Sequence, residues 1–191
     1  NSNGQPVEIL SWAENGTGVV YTAAASDADG DTLTYALSGA DAALFTIDAT
    51  TGAVSFIASP DFEAPADANG DNVYDITVTA SDGTNTTDQA VAITVTNEND
   101  NSPVFSSGAT ASYAENGTGV VYTAAASDAD GDAVTYSISG TDAALFTIDA
   151  TTVEVSFIAS PDFEAPADAN GDNVYDITIT ASDGTNTTDQ A

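Results

Sequence analysis

Residues 74–80 have the sequence YDITVTA, in which Tyr, Ile, Val and Ala alternate with Asp and Thr. A period of two places every second side chain on the same face of an extended chain, as in a β-strand with one buried face. The same alternation occurs in residues 33–37 and 90–96. These three stretches are therefore predicted to be β-strands that bury one face.

The rest of the same region supplies further short strands. They are predicted at residues 19–25, 45–47 and 53–57, with an opening strand near residues 7–10. Residues 48–52 (DATTG) should form a hairpin loop, because Gly52 can adopt a positive φ at the end of the loop. No segment shows a helical period. About seven short strands in roughly 100 residues predict an all-β fold, a Greek-key β-sandwich.

The chain contains this unit twice. Residues 11–90 align with residues 112–191 at a constant offset of 101, and 71 of the 80 pairs are identical. So close a match suggests recent duplication within a longer array. We predict a first repeat at residues 1–97, a linker at residues 98–102 and a second repeat at residues 103–191. The expected architecture is two tandem sandwiches in an extended array.

The two copies end differently. Copy 1 continues through the strand predicted at residues 90–96, whereas copy 2 stops at Ala191, where the same strand would begin. A sandwich without an edge strand exposes backbone donors and apolar side chains. Either the sequence is a window from a longer chain, which we favour, or another subunit supplies the strand and builds a filament. Residues 1–10 would be a possible donor.

The charge of the chain excludes many functions. It has 30 acidic residues, no Lys, Arg, His, Cys or Met, and a formal charge of −30. Without these residue types there is no P-loop, Ser-His-Asp triad, cysteine nucleophile, ordinary zinc site or disulfide. A polyanion is not expected to bind nucleic acid or an anionic membrane, and no apolar run of about 18 residues predicts a membrane span. A bound hard cation therefore remains as the candidate for stabilising this fold.

The acidic residues recur in clusters. Alternate carboxylates surround a Gly at residues 26–31 and again at Asp128, Asp130 and Asp132, a spacing that lets them converge on one hard cation. Further clusters are Asp61 with Glu63, residues 67–71 with their copy at 168–172, and the linker from Asn97. For residues 67–71, a solvated turn and an extra calcium site remain equally open. For the first cluster and the linker we predict a metal site, because no basic residue could relieve the repulsion.

Five motifs, in their order along the chain, resemble those of cadherin-type repeats. They are Ala-Glu-Asn at residues 13–15, the strand and turn of residues 45–54, Asp-Phe-Glu at residues 61–63, Ala-Ser-Asp-Gly at residues 80–83, and the linker NENDNSPVF at residues 97–105. The Ala/Thr/Asp-rich sequence without basic residues resembles the bacterial form of this family, which is found in long surface adhesins. The resemblance implies an extracellular, cell-surface location, a cadherin/Ig-like sandwich and up to three Ca²⁺ ions at the junction between repeats.

The resemblance also implies a ligand set for each ion. The first would use Glu14, Asp61, Glu63 and Asp100. The second would share Glu14, Glu63 and Asp100 and add Asn97, the carbonyl of Glu98 and Asp130. The third would use Asn99, the carbonyl of Asn101, Asp128, Asp130 and Asp183. Two departures follow from the sequence: Asn97 replaces an Asp of the family, and the loop after Asp130 is shorter than in animal cadherins, so that Asp132 is expected to replace a backbone oxygen.

These features predict a function without catalysis. The chain should be a repeat stiffened by calcium that acts as a spacer in an extracellular adhesin, with neighbouring repeats of the same or like chains as partners. One alternative is a module that binds a glycan or itself, with Trp12 and Tyr113 as stacking platforms, although a packing role is favoured for both. An enzyme that uses Asp61 and Glu63 as a carboxylate pair is disfavoured.

Overall fold

A computed structural model describes residues 6–191. The chain divides into two compact units, Asn1–Glu98 and Asn99–Ala191. Residues 1–5, part of the possible strand donor, lie outside the described residues. Each unit is built from β-strands, and no α-helix occurs in residues 6–191.

The first unit has seven strands and one 3₁₀ turn at Ala42–Leu44 within its described residues. The strands are β1 (Glu8–Ala13), β2 (Val19–Thr22), β3 (Thr34–Ser38), β4 (Phe45–Ile47), β5 (Ala53–Phe56), β6 (Val73–Ser81) and β7 (Thr86–Thr96). One sheet has the order β1-β7-β6-β3 and the other β2-β5-β4. All neighbours pair in an antiparallel manner except β1 and β7, which are parallel.

The core of the first unit lies between these two sheets. Tyr74, Ile76 and Val78 are buried on alternate positions of β6, as the period of two in residues 74–80 requires. Three apolar residues of β7, two from the other sheet and Ala23, which follows β2, complete the buried set: Val91, Ile93, Val95, Phe45, Val54 and Ala23. The prediction of an all-β sandwich is confirmed.

Strand β7 begins earlier than the sequence predicted. Pairing resumes at Thr86, directly opposite Ser81 of β6, rather than at residue 90. The carboxylate of Asp82 explains the difference, because its Oδ1 accepts hydrogen bonds from the backbone N–H groups of Thr84 and Asn85, both at 2.6 Å. These bonds close a tight turn, so that the polar residues 86–89 pair although they lack an apolar alternation.

The second unit has shorter strands. They are β8 (Val104–Phe105), β9 (Val120–Thr123), β10 (Ala126–Ser127), β11 (Thr135–Ser139), β12 (Phe146–Ile148), β13 (Glu154–Phe157), β14 (Thr178–Ser182) and β15 (Thr187–Gln190). They form sheets of order β11-β14-β15, β12-β13-β9 and β10-β8. The last strand is thus present as its first four residues, Thr187–Gln190, whereas the sequence analysis placed its start at Ala191. The correction follows from the same early turn, here closed by Asp183.

Val153 has the backbone conformation of a glycine. Its φ is 58°, and its counterpart in the first unit is Gly52 with φ 71°. The left-handed region costs a residue with a Cβ about 1–2 kcal/mol, and part of this cost is offset because Val153 packs against the core of the second unit.

We therefore expect Val153→Gly to raise the free energy of unfolding of the second unit by about 1 kcal/mol. Urea unfolding followed by far-UV circular dichroism measures the change. The only Trp of the chain, Trp12, is in the first unit, so its fluorescence serves as an internal control and should report an unchanged transition. A loss of stability would show that the packing of Val153 outweighs its backbone strain.

Candidate metal centre

Glu14 is a buried carboxylate at the end of β1, only 4% exposed. Its Oε2 accepts a hydrogen bond from the backbone N–H of Phe62 at 2.8 Å, and its Oε1 accepts one from the N–H of Glu98 at 2.7 Å. The N–H of Asn15, whose φ is 57°, donates to the carbonyl of Pro60 at 2.9 Å. Glu14 therefore joins three parts of the first unit: the end of β1, the loop with Asp61 and Glu63, and the chain after β7.

The charge on this buried group has no cationic partner. The donors of both bonds are neutral, and the sequence contains no Lys, Arg or His. Carboxylate oxygens of Glu14 and Glu63 lie within 4.8 Å of each other, although burial of an uncompensated charge is costly. The carboxylate of Asp61, on the same loop, accepts from the N–H of Ala64 at 3.0 Å. One end of the first unit thus concentrates negative charge.

A second set of carboxylates lies in the second unit. Oxygens of Asp128, Asp130 and Asp132 lie within 4.8 Å of one another. Asp128 uses Oδ1 to accept the N–H of Asp130 at 3.0 Å, while its Oδ2 is buried without a hydrogen-bond partner among the described residues. A buried anionic oxygen that lacks a donor is costly. This oxygen fits an environment that includes a cation.

Asp130 binds the chain at the start of the second unit. Its Oδ2 accepts hydrogen bonds from the N–H groups of Asp100 at 3.1 Å and Asn101 at 2.9 Å, and its Oδ1 accepts one from Asn101 Nδ2 at 2.9 Å. The residues after Glu98 are therefore held against the loop of Asp128, Asp130 and Asp132.

Three oxygens that the resemblance assigns to the third ion converge on one atom, Nδ2 of Asn186. This amide donates to Asn99 Oδ1 and the carbonyl of Asn101, both at 2.9 Å, and approaches Asp183 Oδ2 at 3.4 Å. The amide of Asn186 thus holds three oxygens from separate positions close together. The sequence analysis missed Asn186; the repeated Asp-Gly-Thr-Asn of residues 82–85 and 183–186 is the signal that could have found it.

The surroundings of Asp183 keep it ionised. Desolvation acts to raise its pKa, but hydrogen bonds from the N–H groups of Asn186 and Thr185 and from side-chain amides outweigh it, so that the pKa lies below its ordinary value. The counterpart in the first unit, Asp82, also has a lowered pKa through the N–H groups of Asn85 and Thr84. A carboxylate held in its charged form is a better ligand for a cation at low pH.

The same loop in the first unit has a different arrangement. Asp27 uses one oxygen, Oδ1, to accept the N–H groups of both Asp29 at 2.9 Å and Asp31 at 3.0 Å. Asp29 is exposed, whereas Asp130 is half-buried. Asp130 is covered by the linker residues Asp100 and Asn101, which donate hydrogen bonds to its carboxylate.

The second unit contains copies of Glu14, Asp61 and Glu63. Oxygens of Glu115, Asp162 and Glu164 lie within 4.8 Å of one another, and all three residues are exposed. Glu115 accepts the N–H of Phe163 at 3.1 Å, as Glu14 accepts that of Phe62. Glu14, which also accepts the N–H of Glu98, is buried, whereas Glu115 is exposed.

The acidic residues at 67–71 have a structural role. Asp67 is 7% exposed, and its two oxygens accept the N–H groups of Asp71 at 3.0 Å and Asn72 at 3.2 Å. Desolvation acts to raise the pKa of Asp67, but these bonds lower it overall. Asp168 makes the same contacts in the second unit. Of the two interpretations left open by the sequence, the geometry favours the turn.

Trp12 and Tyr113 have packing roles. Trp12 is half-buried against the core of the first unit, and its indole Nε1 is buried without a hydrogen-bond partner in the described residues. The ring of Tyr113 lies 5.8 Å from that of Phe157, and its hydroxyl donates to the carbonyl of Gly119 at 3.3 Å. These contacts favour the packing role over a stacking platform for a sugar.

Comparison with known proteins agrees with this fold. A family model described as Bacterial Ig domain matches residues 3–96. Mouse cadherin-related family member 2 is 37% identical over 87 residues, which are 46% of this chain and 6% of the mouse protein. The chain thus spans a small fraction of the length of this curated relative.

Solved structures extend the likeness to nearly the whole chain. Human protocadherin-24 EC1-2 (Form II) is 23% identical with a TM-score of 0.70, and the match covers 96% of this chain and 89% of that one. Mouse cadherin-23 EC22-24 is 22% identical with a TM-score of 0.75 and coverage of 97% and 62%. Drosophila N-cadherin EC1-4 is 22% identical with a TM-score of 0.72 and coverage of 96% and 46%.

The fold defines a pair of cadherin-like β-sandwich domains, and the resemblance drawn from the sequence is confirmed at this level. At such identities the likeness to the solved structures concerns the fold. No helix in residues 6–191 is long and apolar enough to cross a membrane.

Proposed function

We propose that the chain is a calcium-binding structural repeat of an extracellular adhesion protein of the bacterial type. The observation that carries the proposal is in the second unit, where Asp128 Oδ2 is buried without a hydrogen-bond partner among the described residues, and oxygens of Asn99, Asn101 and Asp183 lie around one atom, Asn186 Nδ2. The candidate metal-binding atoms are all oxygens, and Ca²⁺ prefers about six to eight oxygen ligands. Nitrogen and sulfur ligands for softer metals are absent from the sequence.

The ligands are proposed as the sets that the resemblance implies. Residues at the end of the first unit would be Glu14, Asp61, Glu63, Asn97 and the carbonyl of Glu98; those of the second unit would be Asn99, Asp100, the carbonyl of Asn101, Asp128, Asp130, Asp132 and Asp183. Up to three Ca²⁺ ions would nearly balance the seven carboxylates of the three sets, and Asp132 adds an eighth where the family has a backbone oxygen. The ion beside Asn97 should bind most weakly, because an amide replaces a charged ligand there.

Calcium would supply positive charge that this chain cannot provide itself. In its absence, the carboxylates at the start of the second unit repel those at the end of the first, and the linker between them is free to bend. Ions that take ligands from both units and the linker hold the units together and stabilise the folded state. Neighbouring repeats of the same or like chains are the proposed partners, and a stiff spacer at the cell surface is the proposed role. We propose no catalytic activity.

Thermal unfolding in millimolar Ca²⁺ and in excess chelator tests this function. We expect Ca²⁺ to raise the melting temperature by at least about 10 °C, since a ligand at 100 times its Kd adds about 2.7 kcal/mol, and 1 kcal/mol shifts Tm of such a domain by about 4–8 °C. Mg²⁺ at the same concentration and Na⁺ at the same ionic strength separate specific binding from screening of the charge of −30. An equal rise in Mg²⁺, or none in Ca²⁺, would refute a specific calcium site.

Stiffening requires a separate measurement. Small-angle X-ray scattering should show a narrower distribution of the radius of gyration in Ca²⁺ than in chelator. A rise in melting temperature without this narrowing would support calcium binding and contradict the spacer role.

A further inference from the structure

Asn72 lies at the end of the segment that carries Asp61 and Glu63. Residues 57–72 lie outside the strands, so no ladder of backbone hydrogen bonds fixes these two proposed ligands. The side-chain amide of Asn72 reaches back along this segment, and its Nδ2 donates to the carbonyl of Phe62 at 2.9 Å. Since Phe62 stands between Asp61 and Glu63, Asn72 holds the backbone between the two proposed ligands.

The peptide groups on the two sides of Phe62 are each held by one side chain. The N–H of Phe62, in the peptide that follows Asp61, donates to Glu14 Oε2 at 2.8 Å. The carbonyl of Phe62, in the peptide that precedes Glu63, accepts from Asn72. The direction in which the side chain of Glu63 leaves the backbone therefore depends on Asn72 as well as on Glu14.

Asn72 also ties this segment to the end of strand β7. Its carbonyl accepts the N–H of Val95 at 2.8 Å, while the N–H of Glu14 donates to the carbonyl of Thr96 at 3.1 Å. Strand β7 leads directly into residues 97–98, the remaining proposed ligands of the first unit. Asn72 and Glu14 thus join the same two ligand-bearing segments, one from each side.

Asparagine is not the least costly residue for the backbone at this position. The φ of Asn72 is 62°, a conformation that glycine adopts freely and asparagine tolerates. Its Oδ1 is buried without a hydrogen-bond partner among the described residues, which is unfavourable. Glycine would avoid this buried acceptor. What the asparagine adds is the bond from its Nδ2 to Phe62.

We propose that Asn72 is a positioning residue of the candidate metal centre, whose side-chain amide orients the carboxylate of Glu63 for Ca²⁺. The inference rests on the proposed calcium function and adds a residue outside its ligand sets. Asn72 acts through Glu63 and provides no ligand atom itself. Replacement of a residue that orients a metal ligand changes metal affinity by about 10–100-fold.

Calorimetric titration with Ca²⁺ should compare the full chain with its Asn72→Gly variant. Glycine keeps the left-handed backbone and removes only the side chain, so we expect the affinity for Ca²⁺ to fall at least about tenfold. The melting temperature in excess chelator should change little, because loss of the Nδ2 bond is offset by removal of the unpaired Oδ1. Hydrogen exchange in chelator gives a second readout: residues 61–64 should exchange faster in the variant, whereas β6 should not.

Asn173→Gly and Val78→Ala are the matched controls. Asn173 is the counterpart in the second unit, with a φ of 62° and a bond from its Nδ2 to the carbonyl of Phe163 at 3.1 Å. Its replacement should leave the affinity unchanged, because Asp162 and Glu164 belong to none of the proposed ligand sets. Val78 is buried in the core at 2% exposure, so Val78→Ala should lower the melting temperature in chelator without a change in affinity.

The outcomes separate this inference from the proposed function. If the parent chain binds Ca²⁺ and Asn72→Gly binds it equally well, the positioning role is wrong and the calcium function stands. Equal losses of affinity in Asn72→Gly and Val78→Ala would also overturn the positioning role, because reduced stability of the first unit would then explain both. Absence of Ca²⁺ binding by the parent chain would refute the calcium function and this inference with it.

Discussion

Replacement of Asp130 by alanine should remove most of the Ca²⁺-dependent rise in melting temperature. Asp130 belongs to the group formed with Asp128 and Asp132, and two of the three proposed ions would use its carboxylate. We expect the rise to fall from about 10 °C or more to a few degrees. The quantity to measure is the difference in melting temperature between Ca²⁺ and chelator for each protein. This difference removes the separate effect of the three hydrogen bonds that Asp130 makes to Asp100 and Asn101 without an ion.

Asp29 provides a matched control within the same chain. It occupies the same place in copy 1 as Asp130 in copy 2, in an identical hexapeptide, SDADGD. Residues 1–5, which precede copy 1, contain no carboxylate. Asp29→Ala should therefore leave the Ca²⁺-dependent rise unchanged. If both substitutions reduce the rise equally, calcium acts on the turns of the repeats independently of the linker, and the proposed junction site is wrong.

The sequence predicted the fold well where one pattern decides it. Residues 74–80 alternate without interruption, and their buried positions in β6 are the ones that the alternation requires. Strand ends were less predictable, because pairing decides them. Thr86 joins β7 through the turn at Asp82 and has no apolar neighbour that would indicate a strand.

An identical tetrapeptide shows how far local sequence can decide structure here. Residues 73–76 and 174–177 are both VYDI. The first lies in β6, whereas the second lies outside the strands of its unit. Since the residues are the same, the difference comes from pairing: residues 73–76 pair with residues 91–94, whereas residues 174–177 have no partner strand among the described residues. Strand formation thus depends on packing and pairing more than on intrinsic preference.

The candidate site was predicted only in part for a similar reason. Motifs indicate residues whose type is characteristic, such as Asp128 and Asp183. Asn186 was missed because an amide in a turn is common, and its significance arises only from the three oxygens around it. Asp41, a buried carboxylate outside the candidate site, was missed because its contacts are with residues distant in sequence.

Replacement of Asp41 by alanine should destabilise the first unit strongly and without dependence on calcium. Asp41 is 3% exposed, and its two oxygens accept the backbone N–H groups of Ala68 and Asp75, both at 2.7 Å. Strand β3 ends at Ser38, and beyond this point the carboxylate of Asp41, instead of a strand partner, accepts the N–H of Asp75 in β6. Hydrogen bonds to a charged group contribute about 1.5–3 kcal/mol each, so the loss of two should cost about 3–6 kcal/mol. Urea unfolding followed by the fluorescence of Trp12 measures this cost.

Asp142 is the counterpart of Asp41 in the second unit and allows the same test there. Asp142 accepts the N–H groups of Ala169 at 2.8 Å and Asp176 at 2.7 Å, so Asp142→Ala should destabilise the second unit and leave the Trp12 transition unchanged. Asp31→Ala, which removes an exposed carboxylate of the first unit, should change stability by less than about 0.5 kcal/mol. If Asp41→Ala costs no more than Asp31→Ala, repulsion in a chain of charge −30 outweighs the two bonds. If its cost disappears in Ca²⁺, Asp41 contributes through the ion site rather than through the backbone.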